Sequence, residues 1–341
     1  MSNRNHEVTK PQTLLNKQGN IAEPGWARSQ VQAYHRADIT APKFRIKEWD
    51  YYLVLNKDFA VAFTVSDLGY MGMLSASFLD FTAPCEHTES ILTPFPMGKF
   101  NMPENSSAGD VVYEDKRLSM KFTLSPGQRR IQCSFQKFDG DKDLVCDITM
   151  AQPDMDSLVI ATPWDKAKHF YYNQKINCMA ASGWVEYGGK RYEFDPATDF
   201  GTLDWGRGVW TYDNTWYWGS GNAVVNGKPF GFNIGYGFGN TSAATENILF
   251  YDGKGHKLDE VTFHIPPDDY LKPWTFSSSD GRFEMTFQPI IDRAALTDVK
   301  IIISDQHQVF GKMSGTAILD DGTKLELKDV VCFAEKVRNK Y

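Results

Sequence analysis

Along most of the chain apolar and polar residues alternate with a period of two. In "RRIQCSFQKF" (129–138), Ile131, Cys133 and Phe135 interleave with Gln132, Ser134 and Gln136. "DLVCDITM" (143–150) places Leu144, Cys146, Ile148 and Met150 in the same rhythm. Successive side chains of a strand point to opposite faces, so this spacing predicts half-buried strands. "DGDKD" (139–143) supplies the turn between them. Further hairpin marks follow at Gly188-Gly189, Asn226-Gly227, "DGKG" (252–255), Asp280-Gly281 and Asp321-Gly322. Gly accepts a positive φ cheaply and Asn or Asp tolerates it, as tight hairpin turns require. No segment carries three turns of amphipathic helix, although short helical pieces fit near 11–17 and 291–297. The pattern predicts an antiparallel all-β protein with few short helices. Its sheet edges must be closed, covered or charged, as they are in barrels and sandwiches. Two stretches break the rhythm. Residues 84–107, rich in Pro, Ser and Asn, read as a long loop over a cavity mouth, and 151–175 marks the neighbourhood of a boundary.

Composition narrows the function. A chain of 341 residues is long for one ordinary core, which favours two domains or one double-sized β domain. The aromatic content of 14% is high, and flat, bulky side chains suit sheet surfaces and apolar pockets. A net charge of −7 lacks the basic stripe that a phosphate backbone needs, so no nucleic-acid partner is expected. An anionic membrane surface is disfavoured for the same reason. No run of 18 apolar residues is present, so no integral membrane segment is expected. The N-terminus has no apolar stretch of signal-peptide length. The five cysteines, Cys85, Cys133, Cys146, Cys178 and Cys332, show no CxxC spacing, and Cys133 and Cys146, at alternating apolar positions, read as buried thiols. A cytoplasmic protein fits these features.

The chemistry concentrates in "GTLDWGRGVWTYDNTWYWGSG" (201–221), which holds four of the nine tryptophans. Trp216 and Trp218 share a face if the segment is a strand. Trp210 and Tyr212 pair similarly in a preceding strand, with Asp213-Asn214 as the turn. An antiparallel hairpin would gather these rings, with Trp205 nearby, as a cavity wall or as a packed β-core cluster. Asp204 and Arg207 flank Trp205-Gly206. If the strand ends at "WGRG", both charges sit at the lip or floor of a barrel. They are then either a general acid with its modulator or a buried ion pair fixing a turn. Glu246, inside the apolar "ATENILFY" (244–251), is the second candidate acid or a strand-edge charge facing water. Asn247 would orient it or bind a substrate oxygen. Glu48 and Trp49 form a third acid–aromatic pair, with Glu48 facing either the cleft or solvent. His169, beside Asp165 and Lys175 in the boundary stretch, is an acid–base candidate or a structural histidine. "GYGFGN" (235–240) has evenly spaced glycines with no helix after them and is no dinucleotide fingerprint. Such glycines in a strand clear space for bulky neighbours or a ligand. No metal-ligand spacing appears, and no metal or other cofactor is expected.

Six ordered blocks, "PGWAR" (24–28), "FRIKEWDYY" (44–52), "DLGYMG" (67–72), "LDWGRGVW" (203–210), "ATEN" (244–247) and "FGKMSGTAILDDG" (310–322), span nearly the whole chain. Together they resemble the bacterial family called domain of unknown function 2804. That family is similar, more distantly, to the two-domain lipocalin-like group that includes carotenoid 1,2-hydratase and tocopherol cyclase. The resemblance implies an N-terminal extension (1–43) and two lipocalin-like β halves (44–160 and 161–341). It also implies apolar, often isoprenoid, ligands and acid–base chemistry without a cofactor. The expected partner is an apolar or amphipathic small molecule. Three functions remain open: a hydratase, cyclase or isomerase; a non-catalytic carrier; and a carbohydrate-active protein, which would need exposed coplanar tryptophans along a groove.

Overall fold

The computed structural model describes residues 4–298 and 303–340. It is all-β. Three short strands, β1 (Gln12–Thr13), β2 (Gly25–Ala27) and β3 (Gln32–Ala33), precede the main sheets. The first large sheet follows with β4 (Ile46–Leu55), β5 (Phe59–Asp67), β6 (Met71–Asp80), β7 (Cys85–Pro94), β8 (Val111–Glu114), β9 (Leu118–Ser125), β10 (Gln128–Asp139), β11 (Lys142–Ala151), β12 (Leu158–Pro163), β13 (Phe170–Tyr187), β14 (Lys190–Phe194) and β15 (Phe200–Val209). The second contains β16 (Asp213–Val225), β17 (Lys228–Tyr236), β18 (Ile248–Tyr251), β19 (Lys254–Lys257), β20 (Val261–His264), β21 (Trp274–Ser278), β22 (Phe283–Asp298), β23 (Ile303–Ile318) and β24 (Lys324–Lys340).

The first sheet runs β7-β6-β5-β4-β15-β13-β11-β10-β9-β8, with β12 and β14 attached to β13 and β2 attached to β12. The second runs β19-β18-β17-β16-β24-β23-β22-β21-β20. Both are antiparallel and curl into half-barrels. In the first, β7 returns to β10, where His87 Nε2 meets the Phe138 carbonyl at 2.8 Å.

The hairpin marks sit in turns. Asn226 (φ 51°) and Gly227 (φ 75°) join β16 to β17, and Asp252 (φ 51°) and Gly253 (φ 80°) join β18 to β19. Each pair has the two positive φ values that match the twist of the flanking strands. Cys133 and Cys146 face each other across β10 and β11, both buried and both free thiols. Three expectations differ. Residues 291–297 are strand, and the region 11–17 contributes β1; the helical turns described are the 3-10 segments Arg36–Asp38 and Lys43–Arg45. β7 occupies the first part of the predicted loop 84–107, because Ser90, Ile91 and Leu92 pair with β6. The chain changes sheet at 210–212, not near 160, because the irregular 151–175 leads into β12 and β13 of the first sheet.

Three cores result. The two half-barrel interiors are filled separately, around Phe63, Phe135 and Trp205 in the first and Phe232, Trp274 and Met313 in the second. The third lies between the sheets and contains Tyr51, Tyr171, Trp210, Trp218, Phe238, Phe310 and Phe333. A buried indole removes on the order of 200 Å² from water, worth about 5 kcal/mol at ~25 cal/mol per Å² as an upper bound. This aromatic layer is what holds one sheet against the other.

Candidate functional site

The layer between the sheets also carries charge. On β13, Tyr171, Asn173 and Lys175 alternate onto the face that looks at the second sheet. Their partners across the ladder are Gly208, Gly206 and Asp204 of β15. Lys175 Nζ pairs with Asp204 Oδ1 at 2.9 Å, and Asn173 Nδ2 donates to the same oxygen at 2.5 Å. The ammonium lies 3.8 Å from the centre of the Trp218 ring. Lys175 is only 1% exposed, so its charge depends on these contacts.

Glu246 reaches the same cluster from the loop after β17. Asn233 fixes it: Nδ2 donates to the Glu246 carbonyl at 2.7 Å, while Oδ1 accepts from Trp218 Nε1 at 2.7 Å. Gly235, over which the carboxyl lies, has no room for a side chain, since a Cβ there would stand 2.7 Å from the Tyr217 carbonyl oxygen. Burial, chiefly, pushes Glu246 up to about 7, with Lys175 and Lys257 opposing and Asp204 reinforcing. Lys257, half-buried behind it, is pulled down to about 7 by desolvation and donates to Thr245 Oγ1 and the Asn247 carbonyl, both at 2.7 Å. Glu335 of β24 is a third acid. It accepts from Trp216 Nε1 and Gln308 Nε2, each at 3.0 Å, and burial raises it to about 7 as well. Three carboxyls therefore share one lysine between the sheets, with a second lysine behind Glu246.

Aromatic rings close around these groups. Trp210 meets Trp216 at 5.2 Å and Trp49 at 5.4 Å, both edge to face. Tyr171 stacks on Phe238 at 4.6 Å and meets Trp210 at 6.1 Å. Gly206 permits this crowding, because a Cβ would strike the Trp49 ring at 2.0 Å. The rings fill the layer. Two hollows outlined by the described residues, of about 370 and 590 Å³, lie elsewhere, at the Asp141–Gly189 hairpin ends and beside His264 and Ser314. Trp49, Trp164 and Trp216 are half-buried, so the aromatic layer reaches the surface on their side.

The residues singled out from sequence separate into groups. Asp204, Glu246, Trp49, Trp210, Trp216 and Trp218 come together between the sheets. The rings of Trp210 and Trp216 meet without a hairpin, since β15 and β16 belong to different sheets. Tyr212, in the crossing segment, is 44% exposed. The strand does not end at "WGRG" but runs through it, so Asp204 and Arg207, three residues apart, face opposite sides. Arg207 and Trp205 point into the first half-barrel, where the guanidinium lies 4.1 Å from the Trp205 ring centre. Arg207 is fully buried and donates to Asp50 Oδ1 and to the carbonyls of Trp49, Gly206 and Pro103. Glu48 is buried beside it, bonded to Tyr34 at 2.9 Å and to Arg36. Glu48 thus faces neither cleft nor solvent, and its neighbour Trp49 faces the other way. Asn247 is used by the backbone: Oδ1 accepts from Gly235 N and Nδ2 donates to the Asp259 carbonyl. His169 sits in the turn joining β12 to β13, its Nδ1 on the Ala167 carbonyl at 2.9 Å.

Sequence reasoning left out Tyr171, Asn173, Trp164 and Glu335, and it named Lys175 only as a neighbour of His169. The alternation in "FYYNQK" (170–175) carried a signal, because Tyr171, Asn173 and Lys175 are one strand face with polar ends. Glu335 stands in "VVCFAEKV" (330–337), a lone acid after an apolar run, the same cue that marked Glu246.

Two stacked antiparallel half-barrels with an aromatic, acid-rich layer between them define a two-lobed lipocalin-like β protein. The chain belongs to the family Domain of unknown function (DUF2804), whose profile matches residues 5–341. Among solved structures it is similar to kievitone hydratase from Nectria haematococca, at 10% identity and a TM-score of 0.52, covering 96% of this chain and 98% of that one. It is similar also to an AttH candidate from Nitrosomonas europaea, at 12% identity and a TM-score of 0.51, covering 91% and 98%. At these identities the likeness is one of fold. No curated protein matches the sequence. Among the described residues no helix is long and apolar enough to cross a membrane.

Proposed function

We propose that the protein is a cofactor-free acid–base enzyme that hydrates, cyclises or isomerises a largely apolar, unsaturated small molecule within the layer between the half-barrels. The observation that carries this reading is the gathering of Asp204, Glu246, Glu335 and Lys175, all buried, inside an aromatic cluster. Such a cluster is expensive to bury, and surplus carboxylates serve no packing need. Glu246, up to about 7, holds a proton through much of the neutral range and is the donor to an alkene carbon. Asp204, held by Lys175 and Asn173, is the polar group fixed beside a developing cation, and the faces of Trp210, Trp216 and Trp218 add on the order of 1–2 kcal/mol each when desolvated. Ligand enters where Trp49, Trp164 and Trp216 reach the surface, parting rings that otherwise fill the layer. Edge-to-face indoles do not form the coplanar platform that a sugar-binding groove needs, so the carbohydrate reading gains no support.

The test begins by denaturing the purified protein and identifying released small molecules by mass spectrometry. The compound found is then incubated in D2O with wild type and with Glu246→Gln. The expected result is conversion by wild type with deuterium on carbon, and binding by the variant with turnover about 10²–10⁴-fold slower. Equal conversion by both removes Glu246 from the mechanism. Binding with no conversion by either makes the protein a carrier.

A further inference from the structure

The aromatic layer is not uniformly apolar. Several of its buried polar atoms have no hydrogen-bond partner: Trp210 Nε1, Trp164 Nε1, Tyr171 Oη, Asn173 Oδ1 and Glu246 Oε2. The rings concerned are neighbours. Trp164 and Trp210 have centroids 6.3 Å apart, and Tyr171 lies 6.1 Å from Trp210. The Tyr171 hydroxyl stands close enough to Glu246 for each to influence the other, yet neither Tyr171 Oη nor Glu246 Oε2 completes a bond of normal geometry. Tyr171, Asn173, Trp210 and Glu246 are all at least nine-tenths buried. An unmade hydrogen bond on a buried donor or acceptor is costly, because the group has given up water without gaining a partner. The indole N–H groups of Trp216 and Trp218 behave differently, being bonded to Glu335 and Asn233. An indole offers a donor only, so Trp164 and Trp210 each call for an acceptor.

We infer that Trp164 Nε1 and Trp210 Nε1, with the Tyr171 hydroxyl beside them, form a subsite for an oxygen acceptor of the substrate, so that the ligand is an oxygenated molecule such as an unsaturated ketone, ester or alcohol and not a pure hydrocarbon. The inference rests on the reading that the layer between the sheets is the ligand site. It narrows the substrate class that the fold leaves open. A carbonyl oxygen has two lone pairs and can accept from both indoles while its carbon skeleton lies among Trp49, Trp216 and Phe238. Held there, the oxygen fixes which carbon of a nearby double bond faces Glu246. A hydrocarbon of the same shape would part the same rings and still leave the donors unpaired, which sites built for hydrogen bonding discriminate against strongly.

Two probes of similar shape test this: trans-chalcone, which carries a carbonyl beside its alkene, and trans-stilbene, which does not. Each is titrated into the full-length protein by calorimetry, and the indole ¹H–¹⁵N resonances are followed, with those of Trp164 and Trp210 assigned from Trp164→Phe and Trp210→Phe. Chalcone is expected to bind at least tenfold more tightly than stilbene and to shift both indole resonances downfield. Each Phe variant should narrow that preference by about three- to tenfold, because stilbene binding loses only the packing change. If a variant does not fold, the wild-type ratio of chalcone to stilbene affinity decides. Equal affinities, or indole resonances that chalcone leaves unmoved, overturn the subsite. Chalcone preference with neither probe converted keeps the subsite and counts against the enzymatic reading. Turnover of a pure hydrocarbon ligand does the reverse.

Discussion

Two charged clusters are buried in this molecule within a few residues of each other in sequence, and they are built on different terms. Inside the first half-barrel, Arg207, Arg36 and Arg129 face Glu48 and Asp50, so each carboxylate has a guanidinium to answer it, with Tyr34 bonded to Glu48. Between the half-barrels, Lys175 sits among Asp204, Glu246 and Glu335, and the second cation, Lys257, is engaged with Thr245 and backbone carbonyls. The first leaves no carboxylate without a guanidinium, and Arg207 spends its terminal nitrogens on Asp50 and on three carbonyls that tie β4, β15 and the loop at Pro103 together. The second carries surplus carboxyl groups, two of which titrate near neutrality. Answered carboxylates suit a structural role, whereas a surplus suits proton transfer.

Arg207→Met should break this cluster and give the largest effect, a loss of about 3–5 kcal/mol in denaturant unfolding, because Asp50 remains buried without its hydrogen-bonded guanidinium and three carbonyls lose their donor. Lys175→Met should cost less near pH 6, about 2 kcal/mol, since the neighbouring glutamates can hold more protons, and its cost should grow by pH 8. A cost independent of pH would contradict the picture of carboxyls coupled through one lysine.

Glu246→Gln sharpens the comparison further. The carboxyl titrates at about 7 when folded and near 4.5 when free, so the folded protein holds an extra proton between those values. The stability linked to it is fully present below about 4.5 and lost as pH rises through 7. The variant should therefore be more stable than wild type at pH 8, on the order of 1–2 kcal/mol, with a flatter stability profile from pH 5 to 8. Tyr212→Ala, in the crossing segment, should change stability by no more than about 0.5 kcal/mol, as an exposed side chain does.

How much of this was legible beforehand follows from the same contrast. Turn chemistry is local, so Asn226-Gly227 and Asp252-Gly253 could be read directly as hairpins. Alternation is local too, and it placed Cys133 and Cys146 on the buried faces of adjacent strands. Sheet membership is not local. Nothing in "VWTYDNTW" (209–216) says that β15 and β16 lie in different sheets, so the aromatic hairpin expected there is instead a crossing. The separation of Asp204 from Arg207 was readable in principle, because an odd spacing on a continuous strand reverses the face. It was missed because Gly206 and Gly208 looked like strand ends, when Gly206 clears space for the Trp49 indole and Gly208 for the Phe170 carbonyl and the Trp210 indole. Glu246 stood out as an acid in an apolar run. Glu335 stood in a similar run and went unremarked, since only the pairing of β24 with β16 brings it beside Trp216.

The surplus of carboxyl groups is most directly measured by ¹³C NMR of the glutamate side-chain carboxyls across pH 3–9, with the signals of Glu246 and Glu335 assigned from their Gln variants. Two resonances titrating near pH 7, one absent from each variant, are the expected result. Midpoints below pH 5 for every glutamate would mean that the layer between the half-barrels holds no proton to give.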